Sequence, residues 1–152
     1  KVLRLSEPVY SSYSVAAVGV AAHEIGHAVQ HATGYYALAL RSSLVPIANL
    51  GTNLAFPLFF LGFLFGSPSL MNIGILAFSL AVLFYIVTLP VEINASKRAR
   101  EILLSLGIVT PKEAEGVKQV LNAAALTYLA AALTALLNLF RLILLANMRN
   151  RD

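Results

Sequence analysis

The chain has 152 residues, of which 59% are apolar and 12% are charged. Soluble domains are typically about 45–50% apolar and about 25% charged. Such a chain lacks the polar surface to cover a small soluble globule, so we expect lipid to face part of it. It has no cysteine, which excludes disulfides and thiolate ligands, and any metal must be bound by His, Glu or Asp. The length predicts a single domain over 1–152.

Polar and apolar side chains alternate from Lys1 to Leu5, the pattern of a half-exposed strand. We therefore expect a short edge strand at 1–5. Zincins commonly bind an extended peptide along such a strand by backbone pairing; alternatively, the strand serves only the fold. The chain begins at Lys1 without an initiator Met or a signal-peptide pattern, which predicts a fragment lacking its natural N-terminal part.

The next segment, 14–33, is rich in Ala and Val and predicts a helix. It contains His23, Glu24 and His27 in the pattern HExxH. Side chains four residues apart are neighbours on a helix, so both imidazoles can reach one zinc ion at about 2.0–2.1 Å. Glu24 lies beside the metal and is expected to act as the general base, taking a proton from the water that attacks a peptide carbonyl.

The surroundings of this motif make it more specific than the short pattern alone. Ser14 is a suitable helix cap, and Gly34 is the residue type usual just past a helix end. Two imidazoles and a carboxylate in an apolar helix are costly unless something pairs them. The alternative is a polar face that is turned to a water-filled interface and binds no metal.

Three later segments are long and apolar enough to cross a membrane as helices. They lie at 44–66, 70–90 and 123–146. Pro46 and Pro57 in the first predict a kink or an early break. Arg141 lies near the end of the third, where a long side chain can reach the interface.

The polar stretch at 91–122 predicts cytoplasmic helices that carry a third metal ligand. Within it, Thr110, Pro111 and Glu113 are typical of a helix start: a capping hydroxyl, Pro at the first position, and Glu three residues after the cap. The predicted fold is therefore mainly all-α. It is a membrane helical bundle with a minimal zincin-like HExxH helix and the short edge strand.

A catalytic zinc site has three protein ligands and a water, so a third ligand is needed. His31 follows on the same helix, but a straight helix cannot wrap three turns around one ion. We expect His31 at the helix end or in contact with a ligand. Metzincins would require Gly and His where Gln30 and Thr33 stand, and site-2 proteases would require Asp within a later span. Gln30 and Thr33 exclude the metzincins, and the site-2 class is excluded because the one aspartate, Asp152, lies outside the spans.

Topology favours Glu92 as the third ligand. Two crossings, at 44–66 and 70–90, return the chain to the side of the HExxH helix, and Glu92 is the first ionisable residue after them. The alternative is an acidic charge near a helix N-terminus, favoured by the helix dipole. Glu101 can pair with Lys97 one turn away and is taken as structural.

These segments carry a family resemblance. Ser14–Gln30 resembles the active-site helix of the neutral zinc metallopeptidases of bacterial membranes, the YugP-like family. Leu5–Glu7 and Pro90–Ser96 are also similar, and the resemblance covers essentially the whole chain, including the order of the spans. It implies that Glu92 is the third ligand, in the manner of gluzincins. It also implies a further membrane-proximal segment ahead of Lys1.

The same layout resembles the membrane proteases of the HtpX type, in which Asp follows the ligand Glu four residues later. Ser96 occupies that position here. A hydrogen bond to His23 or His27 from this region would therefore come from the Ser96 hydroxyl or from Asn94.

Basic residues are concentrated near the ends of the spans on one side, and the positive-inside rule then places the active site in the cytoplasm. That side carries Lys1, Arg4, Arg41, Lys97, Arg98, Arg100, Lys112 and Lys118, against Arg149 and Arg151 on the other. The expected partners are the lipid bilayer and a peptide or protein substrate bound as an extended chain. Nucleic acid is not expected, because the basic residues are not interleaved with stacking aromatics.

The sequence thus predicts a membrane-embedded zinc metalloendopeptidase. One alternative is a catalytically silent zinc-binding scaffold or regulator, which has no use for Glu24 because this residue is not a ligand. Another is a small transporter component, which would be expected to place its ionisable residues within the spans.

Overall fold

A computed structural model describes residues 2–149, and these residues form an all-α fold. The five helices are α1 (Glu7–Tyr10), α2 (Val15–Ala32), α3 (Tyr36–Phe65), α4 (Pro68–Ser105) and α5 (Pro111–Arg149). Three of them, α3, α4 and α5, are long and apolar enough to cross a membrane, as the sequence predicts.

The expected edge strand is wrong for the described part of its range. Residues 2–5 have no regular secondary structure, and no strand forms anywhere between residues 2 and 149. An edge strand needs a neighbouring strand to share its backbone hydrogen bonds. Alternation of side chains without such a neighbour does not make a strand, so backbone pairing of a substrate at this segment loses its basis. Lys1 lies outside the described residues.

The ends of α2 confirm the predicted helix signals. The Ser14 hydroxyl accepts a hydrogen bond from the backbone N–H of Ala17 at 3.1 Å, as a cap does. At the other end, the Tyr35 N–H donates to the carbonyl of Gln30 at 2.9 Å. Gly34 adopts a φ of 63°, which a glycine tolerates without strain. The HExxH motif therefore lies well inside a helix that is fixed at both ends.

The later helices are longer than the predicted spans. The span expected at 70–90 and the polar residues after it form one helix, α4, which passes through Pro90. Helix α3 contains both Pro46 and Pro57, so the predicted early break is wrong; a kink stays a prediction. The predicted start of α5 is confirmed, because the Thr110 N–H donates to Glu113 and the Glu113 N–H donates to the Thr110 hydroxyl.

The chain divides into two compact units, and the interpretation as a single domain stays a prediction. One unit comprises the described residues of 40–88 and 129–149. Its helices α3 and α4 pack closely at glycines: a β-carbon on Gly62 would lie 2.6 Å from the backbone N of Met71, and one on Gly74 would lie 2.8 Å from the backbone O of Ala55. Small residues at helix contacts with large apolar side chains facing outward are typical of membrane helices.

The other unit comprises residues 2–39 and 89–128 and contains the HExxH helix. Its core joins α2 to the C-terminal part of α4 and the N-terminal part of α5. The buried members are Ala22, Ala99, Leu103, Val117 and Leu121. Gly26, inside the HExxH motif, is buried against the backbone of Ala95, so the two helices touch there without an intervening side chain.

We expect Gly26→Ala to separate α2 from α4. The new β-carbon would clash with the carbonyl group of Ala95, which is backbone and cannot rotate away. Overpacking of this kind costs about 1–3 kcal/mol of unfolding free energy. Thermal unfolding in detergent, followed by circular dichroism, should show a lower melting temperature and loss of bound zinc.

Gly19→Ala on the same helix is the matched control. Its β-carbon would meet the Val117 side chain at 3.3 Å, and a side chain can shift where a carbonyl cannot. Equal melting temperatures for the two variants would contradict the close contact at Gly26.

Candidate metal centre

Three side chains of α2 and α4 bring their ligand atoms together. The Nε2 atom of His23 lies 3.0 Å from Oε2 of Glu92 and 3.1 Å from Nε2 of His27, and His27 Nε2 lies 3.4 Å from the same Glu92 oxygen. Ligand atoms about 2.0–2.1 Å from a tetrahedral zinc are separated from one another by about 3.3–3.4 Å. The three atoms therefore already form close to one face of a zinc tetrahedron.

The helix contact described above produces this convergence. Gly26 lies between the two histidines in sequence and packs against Ala95, which is one turn beyond Glu92 on α4. The side chain of Glu92 is 3% exposed, whereas those of His23 and His27 are 16% and 20% exposed. A carboxylate so deeply buried is costly unless it is paired with positive charge. The site accordingly suits a cation that the buried carboxylate binds from the protein interior and that enters from the side of the more exposed imidazoles.

The raised pKa of His27 also indicates that the site favours positive charge. Hydrogen bonding to Glu92 raises the pKa of His27 above its ordinary value, while burial acts in the opposite direction. A hydrogen bond to Gln30 and the negative charges of Glu92 and Glu24 raise this pKa as well. The surroundings therefore favour positive charge at the imidazole, and a divalent cation on Nε2 would take the place of the proton there.

The tautomer of His27 is fixed by Gln30, which is completely buried. The amide nitrogen of Gln30 donates to the carbonyl of Val91 at 2.8 Å and to Oδ1 of Asn94 at 3.0 Å. Both amide hydrogens are thereby used, so the amide oxygen faces His27 Nδ1 at 2.9 Å and must accept its proton. Neutral His27 then keeps its lone pair on Nε2, the atom that faces Glu92.

The hydrogen-bond chain continues from Gln30 along α4. Oδ1 of Asn94 also accepts from Nε of Arg98 at 2.8 Å. The Arg98 guanidinium in turn lies 5.8 Å from the ring centre of Tyr35, within range of a cation–π interaction. Asn94 thus acts on His27 through Gln30, and the segment after α2 is connected to the same network.

His23 has a separate partner for its second nitrogen. The hydroxyl of Ser96 lies 3.1 Å from Nδ1 of His23. If it accepts the Nδ1 proton, the lone pair of His23 lies on Nε2, the atom nearest to Glu92. Ser96 stands four residues after Glu92, one turn along α4, so the same helix supplies both groups.

Two other predicted residues lie apart from this cluster. Glu24 is exposed to water on α2, and its negative charge helps to raise the pKa of His27. His31 is also exposed and is not part of the group of three. It lies two turns beyond His23, further along the helix axis than one ion can bridge.

Sequence reasoning did not identify Gln30 and Arg98 as part of the site. Gln30 is three residues after His27, a spacing that places both on one helix face. A single amide in the apolar run after the motif was therefore a usable signal. Arg98 is one turn after Asn94, but nothing in the sequence relates either residue to His27 until the two helices are packed.

A cavity of about 160 Å³ adjoins the three ligand atoms within the same unit. His23, Glu92 and Ser96 border it on one side. The remaining wall is apolar apart from a tyrosine and consists of Val20, Leu121, Ala124, Ala125 and Tyr128. The space is large enough for one aliphatic side chain next to the cluster.

Comparison with known proteins relates the chain to zinc peptidases, which agrees with a metal site at these three side chains. The sequence profile of a family described as "Putative neutral zinc metallopeptidase" matches residues 1–147. The chain is also 50% identical over 145 residues to "Putative membrane protease YugP" of Bacillus subtilis (strain 168). This alignment covers 95% of the chain and 64% of the relative, so the chain spans just under two thirds of that protein's length. No solved structure matches.

We expect Gln30→Ala to weaken zinc binding about 10- to 100-fold, since partners that orient a ligand imidazole typically contribute that much. The substitution leaves Nδ1 of His27 without its acceptor and opens the connection to Asn94. Competition with a fluorescent zinc chelator measures the affinity. Gln119→Ala, an exposed position on α5, is the matched control and should bind zinc as the wild type does. Equal affinities for the two variants would show that Gln30 does not orient the histidine.

Proposed function

Because this chain belongs to the neutral zinc metallopeptidase family, we propose that it is a membrane-embedded zinc metalloendopeptidase in which His23, His27 and Glu92 bind the metal. The observation that carries the proposal is the convergence of three ligand atoms, all within 4.8 Å of one another, in a chain without cysteine. Two imidazoles and one carboxylate are a ligand set used by catalytic zinc sites, which leave one position for water.

When bound, zinc supplies a Lewis acid that acidifies the attacking water and polarises the scissile carbonyl. Glu24 is the general base in this proposal: its carboxylate takes a proton from the attacking water and delivers it to the departing amine. Its exposure on α2 and its influence on the pKa of His27 support this role, because the base must reach both water and substrate.

The substrate is a peptide segment that enters as an extended chain. The imidazoles of His23 and His27 are at most 20% exposed, so the surface of a folded protein would not bring a carbonyl to them. The apolar cavity beside His23 and Glu92 suits an aliphatic side chain next to the scissile bond. The cavity therefore takes over the role in substrate binding that the sequence predicted for a strand at 1–5.

We also propose that the active site faces the cytoplasm. The support is the distribution of basic residues along the sequence, since Lys97, Arg98 and Arg100 lie within ten residues of the end of the uncharged stretch of α4. The many exposed apolar side chains of α3 and α4 are consistent with lipid as their solvent.

The Glu24→Gln variant separates catalysis from metal binding. Peptide cleavage should fall by about 10²–10⁴-fold, the usual contribution of a general base, while zinc content stays at one ion per chain. Glu101→Gln, an exposed carboxylate on α4, is the control and should keep both properties. Equal cleavage by wild type and Glu24→Gln would refute the mechanism. An absence of cleavage in the zinc-loaded wild type would favour a silent zinc-binding scaffold.

The Glu92→Ala variant tests the third ligand. Removing this buried carboxylate should strip zinc from the purified protein, as measured by plasma emission spectrometry. Glu101→Ala makes the same change on the same helix, at a side chain that is 61% exposed, and should retain stoichiometric zinc. Stoichiometric zinc in Glu92→Ala would refute the assignment.

A further inference from the structure

A second cavity of about 160 Å³ lies in the unit that contains the metal centre, between the C-terminal part of α4 and the N-terminal part of α5. Three basic side chains line it: Lys97 and Arg100 from α4, and Lys118 from α5. No acidic side chain is among the described residues that line it. We name it the basic cavity.

Two acidic residues lie near the basic cavity, each beside one of its lysines, so three positive charges meet two negative ones. Glu101 lies 3.9 Å from Lys97, and both side chains are more than 60% exposed. Glu115 lies 3.1 Å from Lys118, again as an exposed pair. These pairs are exposed and screened by water, and they leave Arg100 without an acidic partner among the described residues. Basic groups of two helices that face one shared space repel each other, and an anion bound between them relieves that repulsion.

The basic cavity lies next to the site proposed for catalysis and shares part of its wall. Ser96, Leu121 and Ala125 line both the basic cavity and the apolar cavity that His23 and Glu92 border. The hydroxyl of Ser96 is also 3.1 Å from Nδ1 of His23. A chain that crosses the metal centre and fills the apolar cavity therefore meets the basic groups within the next few residues.

We propose that the basic cavity is a substrate subsite that binds a carboxylate of the peptide, a few residues from the scissile bond. The carboxylate is either an acidic side chain or the C-terminal group of the substrate. Arg100 is its main partner, because a guanidinium can donate two parallel hydrogen bonds to one carboxylate. This inference rests on the proposed peptidase function and adds the substrate class: peptides with an apolar residue at the cleavage site and a negative charge a few residues away.

The test uses the zinc-loaded protein in phosphatidylcholine nanodiscs with internally quenched peptides. Within each pair, the peptides differ only by Glu or Gln at one of three positions on either side of the scissile bond. A further pair differs by a free or an amidated C-terminus. We expect one pair to be cleaved with about a tenfold higher kcat/KM for the charged member. Which pair shows this preference tells whether the subsite binds an acidic side chain or the C-terminal carboxylate.

The Arg100→Gln variant should lower this charged-to-neutral ratio to about one. Lys112→Gln removes the same charge from an exposed position of α5 outside the cavity, and should keep the wild-type ratio. A ratio near one for every pair in the wild type, or a preference that survives in Arg100→Gln, would overturn the proposal. So would stimulation by phosphatidylglycerol that needs Arg100 without any peptide preference, because the cavity would then bind a lipid phosphate.

A failure of the proposed function gives a different result. If the wild type cleaves no peptide, fluorescence anisotropy still measures how tightly the labelled charged and neutral peptides bind to the zinc-loaded protein. A binding preference for the charged peptide that is lost in Arg100→Gln upholds the subsite even though the peptidase function has failed. Equal binding of both peptides by the wild type overturns the subsite as well.

Discussion

The contact between Gly26 and the backbone of Ala95 is the constraint on which the rest of the site depends. It brings α2 and α4 together without an intervening side chain and so places the carboxylate of Glu92 within 3.4 Å of both imidazole Nε2 atoms. The HExxH pattern brings two candidate ligands to one helix face by itself, because a helix repeats every 3.6 residues. The third depends on this packing, which explains why the smallest residue stands in the middle of the motif.

The ligand atoms are also oriented by a hydrogen-bonded network on the far side of the imidazoles. Gln30, Asn94 and Arg98 connect His27 to α4, while Ser96 contacts His23. A buried polar network in which every group is satisfied fixes side-chain positions, because moving one group leaves another without a partner. The metal centre and the unit that holds it are therefore stabilised by the same contacts.

The sequence predicted the parts of this arrangement that depend on local patterns. The caps at Ser14 and Thr110 follow from residue type and spacing, and Glu92 was reached by counting membrane crossings; its role as a ligand is our proposal. The strand at 1–5 was wrong because alternation says nothing about whether a partner strand exists. Gln30 was missed because its three hydrogen-bond partners come together only when two helices, about 60 residues apart in sequence, are packed.

X-ray absorption at the zinc edge of the purified protein tests whether His23, His27 and Glu92 bind the metal. We expect one zinc per chain with nitrogen and oxygen ligands at about 2.0–2.1 Å, and outer-shell scattering from two imidazoles. A spectrum that fits only one imidazole, or undiminished zinc content in Gly26→Ala, would contradict this assignment.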